Sequence, residues 1–81
     1  MAKVIVKEET PQPQKLTDAT ILGKFIRAAR TNSSLTIHDT AAICGVSVST
    51  MTKIENAKGD MKLSTVLKVC KMLGITLRIE A

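Results

Sequence analysis

Hydrophobic residues recur at helical spacing in four stretches of the chain, which short polar turns separate. The first stretch predicts a helix from Thr17 or Asp18, either of which can cap it, to about Arg30. Its apolar positions share one face: Ile21, Leu22, Phe25, Ile26 and Ala29. The polar positions of the opposite face, which we expect in solvent, are Lys24, Arg27 and Thr31. Gly23 costs about 1 kcal/mol relative to alanine inside a helix, which indicates close packing at that point.

Two short helices follow, joined by a turn of only three residues. A capping box with aspartate in place of the usual glutamate begins the first of them at Thr36, and Gly45 ends it. Ser47 caps the next helix, which we expect to run to about Asn56. The small residue Ala41 lies where another helix can cross closely. This arrangement is typical of a helix-turn-helix motif.

A fourth helix is predicted from roughly Leu63 to Leu73, with Gly74 as the residue that ends it. We expect five of its side chains to face the core: Leu63, Val66, Leu67, Cys70 and Leu73. Residues 17–74 would thus form one helical domain.

The two ends of the chain differ from this pattern. Residues 1–16 contain both prolines and have no helical period, which favours a mobile arm, with an edge strand as the alternative. Residues 75–81 alternate apolar and polar positions, which predicts a short strand with Ile75, Leu77 and Ile79 on one face. A lone strand cannot satisfy its backbone, so we expect it to pair with a second chain or with the arm.

Composition narrows the classes of function. The 81 residues include 12 Lys and Arg against 7 Asp and Glu, and most of the net charge of +5 lies within residues 17–74. This balance suits a polyanionic partner such as nucleic acid, although it also serves simple solubility. Phe25 is the one aromatic residue, which excludes a base-stacking platform for single strands.

Residues suited to catalysis or metal binding are sparse. Cys44 and Cys70 lie in apolar helical stripes and, with the single His38, have neither zinc spacing nor a disulfide framework. We therefore expect buried, reduced thiols and no metal or cofactor. No nucleophile motif, phosphate loop or carboxylate pair is present, so an enzyme is not expected. No apolar run reaches the roughly 20 residues of a membrane span and the N-terminus is too polar for a signal peptide, which favours the cytoplasm.

From about Leu22 to Gly74 the chain resembles the Cro/cI-type helix-turn-helix family, also called the xenobiotic response element (XRE) family. The matching positions are Leu22-Gly23, Arg30, Leu35-Thr36, Ala41, Gly45-Val46-Ser47, Ser49-Thr50, Ile54-Glu55-Asn56, Leu63 and Leu73-Gly74. The resemblance implies an all-α, lambda-repressor-like bundle of four to five short helices. The ending LGITLRI resembles that of HipB-like antitoxins, in which such a strand pairs across the dimer.

The chain departs from the pattern of this family at three positions. Ile37 stands where a glutamine commonly touches phosphate, and Val48 stands where a glutamine or arginine often reads a base. Ala57 replaces the glycine that follows Glu-Asn. These changes bear on individual polar contacts and leave the mode of docking intact.

Burial of the apolar side of the third helix would leave an outer edge for base contacts: Val48, Ser49, Thr52 and Lys53. An exposed valine suits a thymine methyl, the hydroxyls suit several base edges, and lysine reaches guanine. Phosphate contacts are expected from Thr36, Ile37, Ser47, Thr50, Asn56, Lys58 and Lys62. The alternative to this DNA-reading edge is an ordinary solvated helix face.

The resemblance further implies an ion pair between Arg30 and Glu55 that braces the first helix against the third.

These observations favour a sequence-specific transcriptional repressor that binds an inverted-repeat operator in double-stranded DNA as a homodimer. Within that class we favour the antitoxin of a type II toxin–antitoxin operon, which would repress its own operon and bind a cognate toxin. A phage-type Cro/cI-like regulator is the nearest alternative. An adaptor or inhibitor that binds protein and does not read DNA is the alternative from another class.

Overall fold

Side-chain caps determine where three of the four helices begin. The computed structural model describes residues 4–81, and within them α1 spans Ala19–Asn32, α2 Ile37–Cys44, α3 Val48–Asn56 and α4 Leu63–Leu73. Asp18 accepts a hydrogen bond from the Thr20 amide at 2.7 Å, and Ser47 accepts one from the Thr50 amide at 3.0 Å. Both halves of the α2 capping box are present. Only α4 starts without a side-chain cap, at Lys62.

Each of the last three helices is followed by a residue whose backbone is in the left-handed conformation. Gly45 and Gly74 follow α2 and α4 with φ of 67° and 73°, values that glycine adopts without steric cost. α3 is instead followed by Ala57, whose φ is 55°. An alanine in this conformation carries a steric penalty of about 1–2 kcal/mol.

One apolar core fills the space between the helices. Its buried residues come from all four: Leu22, Ile26, Ala41, Cys44, Met51, Ile54, Val66, Val69 and Cys70. Gly23 lies where α1 crosses the end of α3. A Cβ placed there would overlap the carbonyl oxygen of Glu55 and lie 3.0 Å from its carbonyl carbon. Glycine at this point therefore sets how closely α1 approaches α3.

Two predictions about side-chain direction are wrong. Thr31 was expected in solvent but is buried, because its hydroxyl donates to the carbonyls of Arg27 and Ala28 and so needs no water. In α4, Leu63 and Leu67 were expected in the core but are 69% and 47% exposed. The buried stripe runs instead through Val66, Val69, Cys70 and the half-buried Leu73.

The single chain shows no strand in the tail, where one was predicted to pair with a second chain or with the arm. Residues 4–81 contain helices and irregular segments and no strand, since this single chain pairs nothing with residues 75–81. Ile75 and Leu77 are half-buried and pack against the core of their own chain. Ile79 is 98% exposed. In the single chain the alternation thus separates a core-facing side from a solvent side only as far as Leu77.

The N-terminal segment contacts the end of α1. The Glu8 amide donates to the Thr31 hydroxyl at 3.0 Å, and the Asn32 side chain donates to the Glu8 carbonyl at 2.8 Å. Val4 and Val6 remain 90% and 76% exposed. The segment is therefore held through its backbone and buries little of its apolar surface.

Candidate nucleic-acid interface

α3 has one buried side and one exposed side. Met51 and Ile54 are 0% and 1% exposed, which fixes the rotation of the helix about its axis. Ser49, Thr52 and Lys53 consequently lie on the outer side and are exposed. These are three of the four residues for which base contacts were predicted, and they form one continuous polar edge.

Val48, the fourth predicted base-contacting residue, is half-buried and packs against the core. The expectation of an exposed valine is therefore only partly met. Ile37 is likewise half-buried against the core. Both apolar departures from the family pattern thus have a packing explanation, because each side chain closes the rim of the core at the start of its helix.

The hydroxyls around α3 differ in their hydrogen bonds. Thr52 donates to the Val48 carbonyl at 2.9 Å, which leaves its oxygen to accept from a ligand. The hydroxyls of Ser47 and Thr50 lie 2.8 Å apart and bond to each other. Ser49 makes no side-chain hydrogen bond within the described chain, so its hydroxyl is the least committed of the set.

The start of α2 supplies backbone donors. Thr36 and Asp39 exchange side-chain and backbone hydrogen bonds of 3.0 Å in the capping box. The amides of Ile37 and His38, the first two residues of α2, have no intrahelical acceptor and lie at the positive end of the helix dipole. These amides suit an anion, and the carboxylate of Asp39 in the same turn opposes it.

Three lysines surround the turn between α3 and α4. Lys53, Lys58 and Lys62 are exposed and form no ion pair within residues 4–81. Lys53 and Lys62 line a shallow groove whose rim also carries Asp60. The groove is therefore basic overall, with one carboxylate of opposite sign.

Glu55 is the centre of an ion-pair network between α1 and α3. Arg30 donates to the two carboxylate oxygens of Glu55 at 2.6 and 3.1 Å and to the Leu35 carbonyl at 2.9 Å. Arg27 adds a second guanidinium, with Nε 3.3 Å from Glu55 and a terminal nitrogen 3.0 Å from the Asn56 side-chain oxygen. The Glu55 side chain is 1% exposed. In this network one buried carboxylate therefore accepts hydrogen bonds from two guanidinium cations.

Arg27 is the residue of this region that the sequence analysis missed, since its polar character assigned it to the solvated face of α1. The available signal was its spacing. Arg27 and Arg30 lie three residues apart on one helix, so both can reach the same partner.

The cysteines lie away from this surface. Both are buried, and burial raises the pKa of each thiol above its ordinary value of 9.0, slightly opposed at Cys44 by Lys68. Thiols with a raised pKa are poor nucleophiles at neutral pH, because little of the thiolate form is present.

Within residues 4–81, no group of three or more His, Cys, Asp or Glu could hold a metal ion. In the same range, every helix is too short or too polar to cross a bilayer.

Comparison with known proteins adds one finding. A family model described as a helix-turn-helix domain matches residues 21–80, which include all four helices from the first turn of α1 onward. No curated protein matches the chain.

Proposed function

The chain belongs to the helix-turn-helix domain family, and from that premise we propose that it is a sequence-specific DNA-binding transcriptional repressor. The observation that carries this proposal is the outer edge of α3. Ser49, Thr52 and Lys53 project from a helix whose opposite side is locked in the core. A polar helix edge that is held rigidly suits the major groove of B-DNA. Binding, and not catalysis, is the proposed role.

In this mode α3 enters the major groove with its first residues leading. Ser49 can donate to a base, Thr52 can accept from one, and Lys53 can reach guanine O6 or N7. The exposed part of Val48 offers apolar contact to a thymine methyl. The side chains thus supply a donor, an acceptor, a cation and a methyl-sized apolar surface along one edge.

Phosphate contacts would flank the reading edge on both sides. One set lies at the turn before α3 and at the start of α2: Thr36, Ile37 through its amide, Ser47 and Thr50. The other lies at the end of α3 and beyond: Asn56, Lys58 and Lys62. If about six phosphates are neutralised per dimer, the logarithm of affinity falls with the logarithm of salt with a slope of roughly −5.

The dimer is part of the proposal. Two recognition helices about 34 Å apart would read an inverted repeat. Self-association is supported by apolar side chains that one chain leaves in solvent on α4 and the tail, namely Leu63, Leu67 and Ile79. Residues 75–81 would pair with the same residues of a second copy, and this pairing would supply hydrogen-bond partners to the backbone of the tail. Ile79 would then contact the partner chain, as would the exposed parts of Ile75 and Leu77.

We further propose that the protein is an antitoxin that represses its own operon in the cytoplasm and binds a cognate toxin. The N-terminal segment supports this role, since Val4 and Val6 present apolar surface that their own chain leaves uncovered. Such a segment can bind a partner protein while the helical domain stays on DNA. A phage-type regulator would share the DNA chemistry and lack the toxin.

Fluorescence anisotropy tests the DNA-binding role. Wild-type protein is titrated into a labelled duplex from the region upstream of its own gene and into a scrambled duplex of the same composition. We expect preferential binding to the first, a loss of affinity in Lys53→Ala, and no change in Lys71→Ala, which removes an exposed lysine from α4. Equal, weak binding of both duplexes would favour the adaptor instead.

A further inference from the structure

The Glu55 network carries more positive charge than it neutralises. One carboxylate accepts hydrogen bonds from two guanidinium groups, at 2.6 and 3.1 Å from Arg30 and at 3.3 Å from Arg27. Arginine stays protonated at any physiological pH. The cluster therefore keeps one net positive charge at the corner where α1 meets the end of α3.

This surplus charge is accessible at Arg27. The Arg30 side chain is 14% exposed and holds Glu55 from inside, whereas the Arg27 side chain is 39% exposed. Arg27 is also fixed at two points, by Glu55 through Nε and by Asn56 through a terminal nitrogen. Its remaining guanidinium donors form no hydrogen bond within residues 4–81, and because the side chain is already fixed, little side-chain entropy is lost when they bind an anion.

The surroundings of Arg27 point to a phosphate as that anion. A shallow groove runs from Arg27 and Asn56 to Thr36 and Ile37 at the start of α2, whose amides suit an anion. Val4, Ile5 and Val6 of the N-terminal segment line the same groove, and the Arg27 side chain stays 39% exposed beside them. Two carboxylates line the same groove: Glu55, whose charge Arg27 and Arg30 neutralise, and Glu8, which opposes an anion there.

We propose that Arg27 binds a backbone phosphate of DNA, oriented for that contact by Glu55 and Asn56. The inference rests on the proposed DNA binding and adds a contact that joins α1 to the duplex. Because Asn56 uses its oxygen on Arg27, its amide nitrogen is left to donate to the same phosphate or to the next one. The contact is blind to sequence and sets the height of α3 in the groove.

The experiment compares full-length wild type, Arg27→Ala, Arg27→Lys and Lys24→Ala on the upstream and scrambled duplexes over a range of salt. Lys24 is the matched control, a lysine on α1 that is exposed and forms no ion pair in the described chain. We expect Arg27→Ala to weaken binding to both duplexes by roughly tenfold per protomer. Its log–log salt slope should be shallower by about 0.9 per protomer.

Arg27→Lys should keep the wild-type slope and recover part of the affinity, and Lys24→Ala should match wild type within about twofold. A structural brace alone would lower stability without moving the slope. An unchanged slope in Arg27→Ala therefore overturns this inference and leaves DNA binding intact. A wild type that binds neither duplex overturns both proposals. If Arg27→Ala fails to fold, Arg27→Gln replaces it as the neutral variant, judged on the same slope.

Discussion

Removing the Glu55 carboxylate tests the packing of α1 on α3. In Glu55→Ala, Arg30 keeps its charge at a side chain that is only 14% exposed and loses both hydrogen bonds to the carboxylate. Removal of one partner from a buried ion pair costs about 3–5 kcal/mol, because the other charge is left uncompensated. Arg27 contributes less to this cost, since at 39% exposure water can solvate it.

A loss of this size is a large part of the total. A domain of this length has a free energy of unfolding of roughly 4–12 kcal/mol. For so small a domain each 1 kcal/mol lowers Tm by about 4–8 °C, so Glu55→Ala should melt roughly 12 °C or more below wild type. Thermal unfolding followed by circular dichroism at the helical band, together with urea titration, measures both quantities.

The chain supplies its own control for this prediction. Glu80 pairs with Arg78 at 3.5 Å, but both side chains are more than three-quarters exposed. Glu80→Ala should therefore melt with wild type. The double variant Glu55→Leu with Arg30→Met should recover much of the loss, since no buried charge is then left unpaired and water solvates the charge that remains on Arg27. If Glu55→Ala melts within about 2 °C of wild type, the buried pair is not what joins the two helices.

Three further predictions follow from local geometry and are read from urea or thermal unfolding. Gly23→Ala should destabilise by about 1–3 kcal/mol, because the overlap with the Glu55 carbonyl outweighs the gain in helix propensity of about 1 kcal/mol; an unchanged midpoint would show that α1 can shift freely. Ala57→Gly should stabilise by about 1 kcal/mol through relief of the left-handed φ, and a lower Tm would contradict this. Stability should fall as pH rises past about 9, because thiols of the unfolded chain ionise while Cys44 and Cys70 retain their protons in the fold. The fall should be smaller in the variant with both cysteines changed to alanine, and slow thiol labelling of the native protein at pH 8 is the companion test.

Helix positions were predictable from the sequence because local chemistry determines them. Asp18, Thr36 and Ser47 cap their helices through bonds to amides two or three residues away, and Gly74 ends α4 in the conformation that glycine favours. Such signals need no knowledge of the rest of the fold. The exposed edge of α3 followed in the same way, from burial of its apolar side.

The direction of α4 was not predictable in this way. Its sequence LSTVLKVCKML has apolar residues around more than half of the helix, so several stripes satisfy a helical period equally well. The choice between Leu67 and Val69 depends on where the other helices lie. The prediction that Thr31 is exposed was wrong for a related reason, since a hydroxyl that bonds to its own helix can be buried among apolar groups.

The Arg27 corner required the tertiary structure. The two partners of Arg27, Glu55 and Asn56, are 28 and 29 residues away along the chain and meet it only because Gly23 lets α1 approach the end of α3. Asn56 was predicted as a direct phosphate contact, and the structure shows that its oxygen already binds Arg27. Spacing along one helix can suggest that two arginines share a partner, but it cannot identify the partner.

Base discrimination by α3 is tested most directly with a set of operator duplexes, each carrying one base-pair substitution. The affinities of wild type and Lys53→Ala are measured across the whole set. We expect Lys53→Ala to lose about 1–3 kcal/mol of discrimination at one position of each half-site and to keep the wild-type profile elsewhere. A uniform loss of affinity with every preference retained would contradict it, because Lys53 would then contact only the backbone.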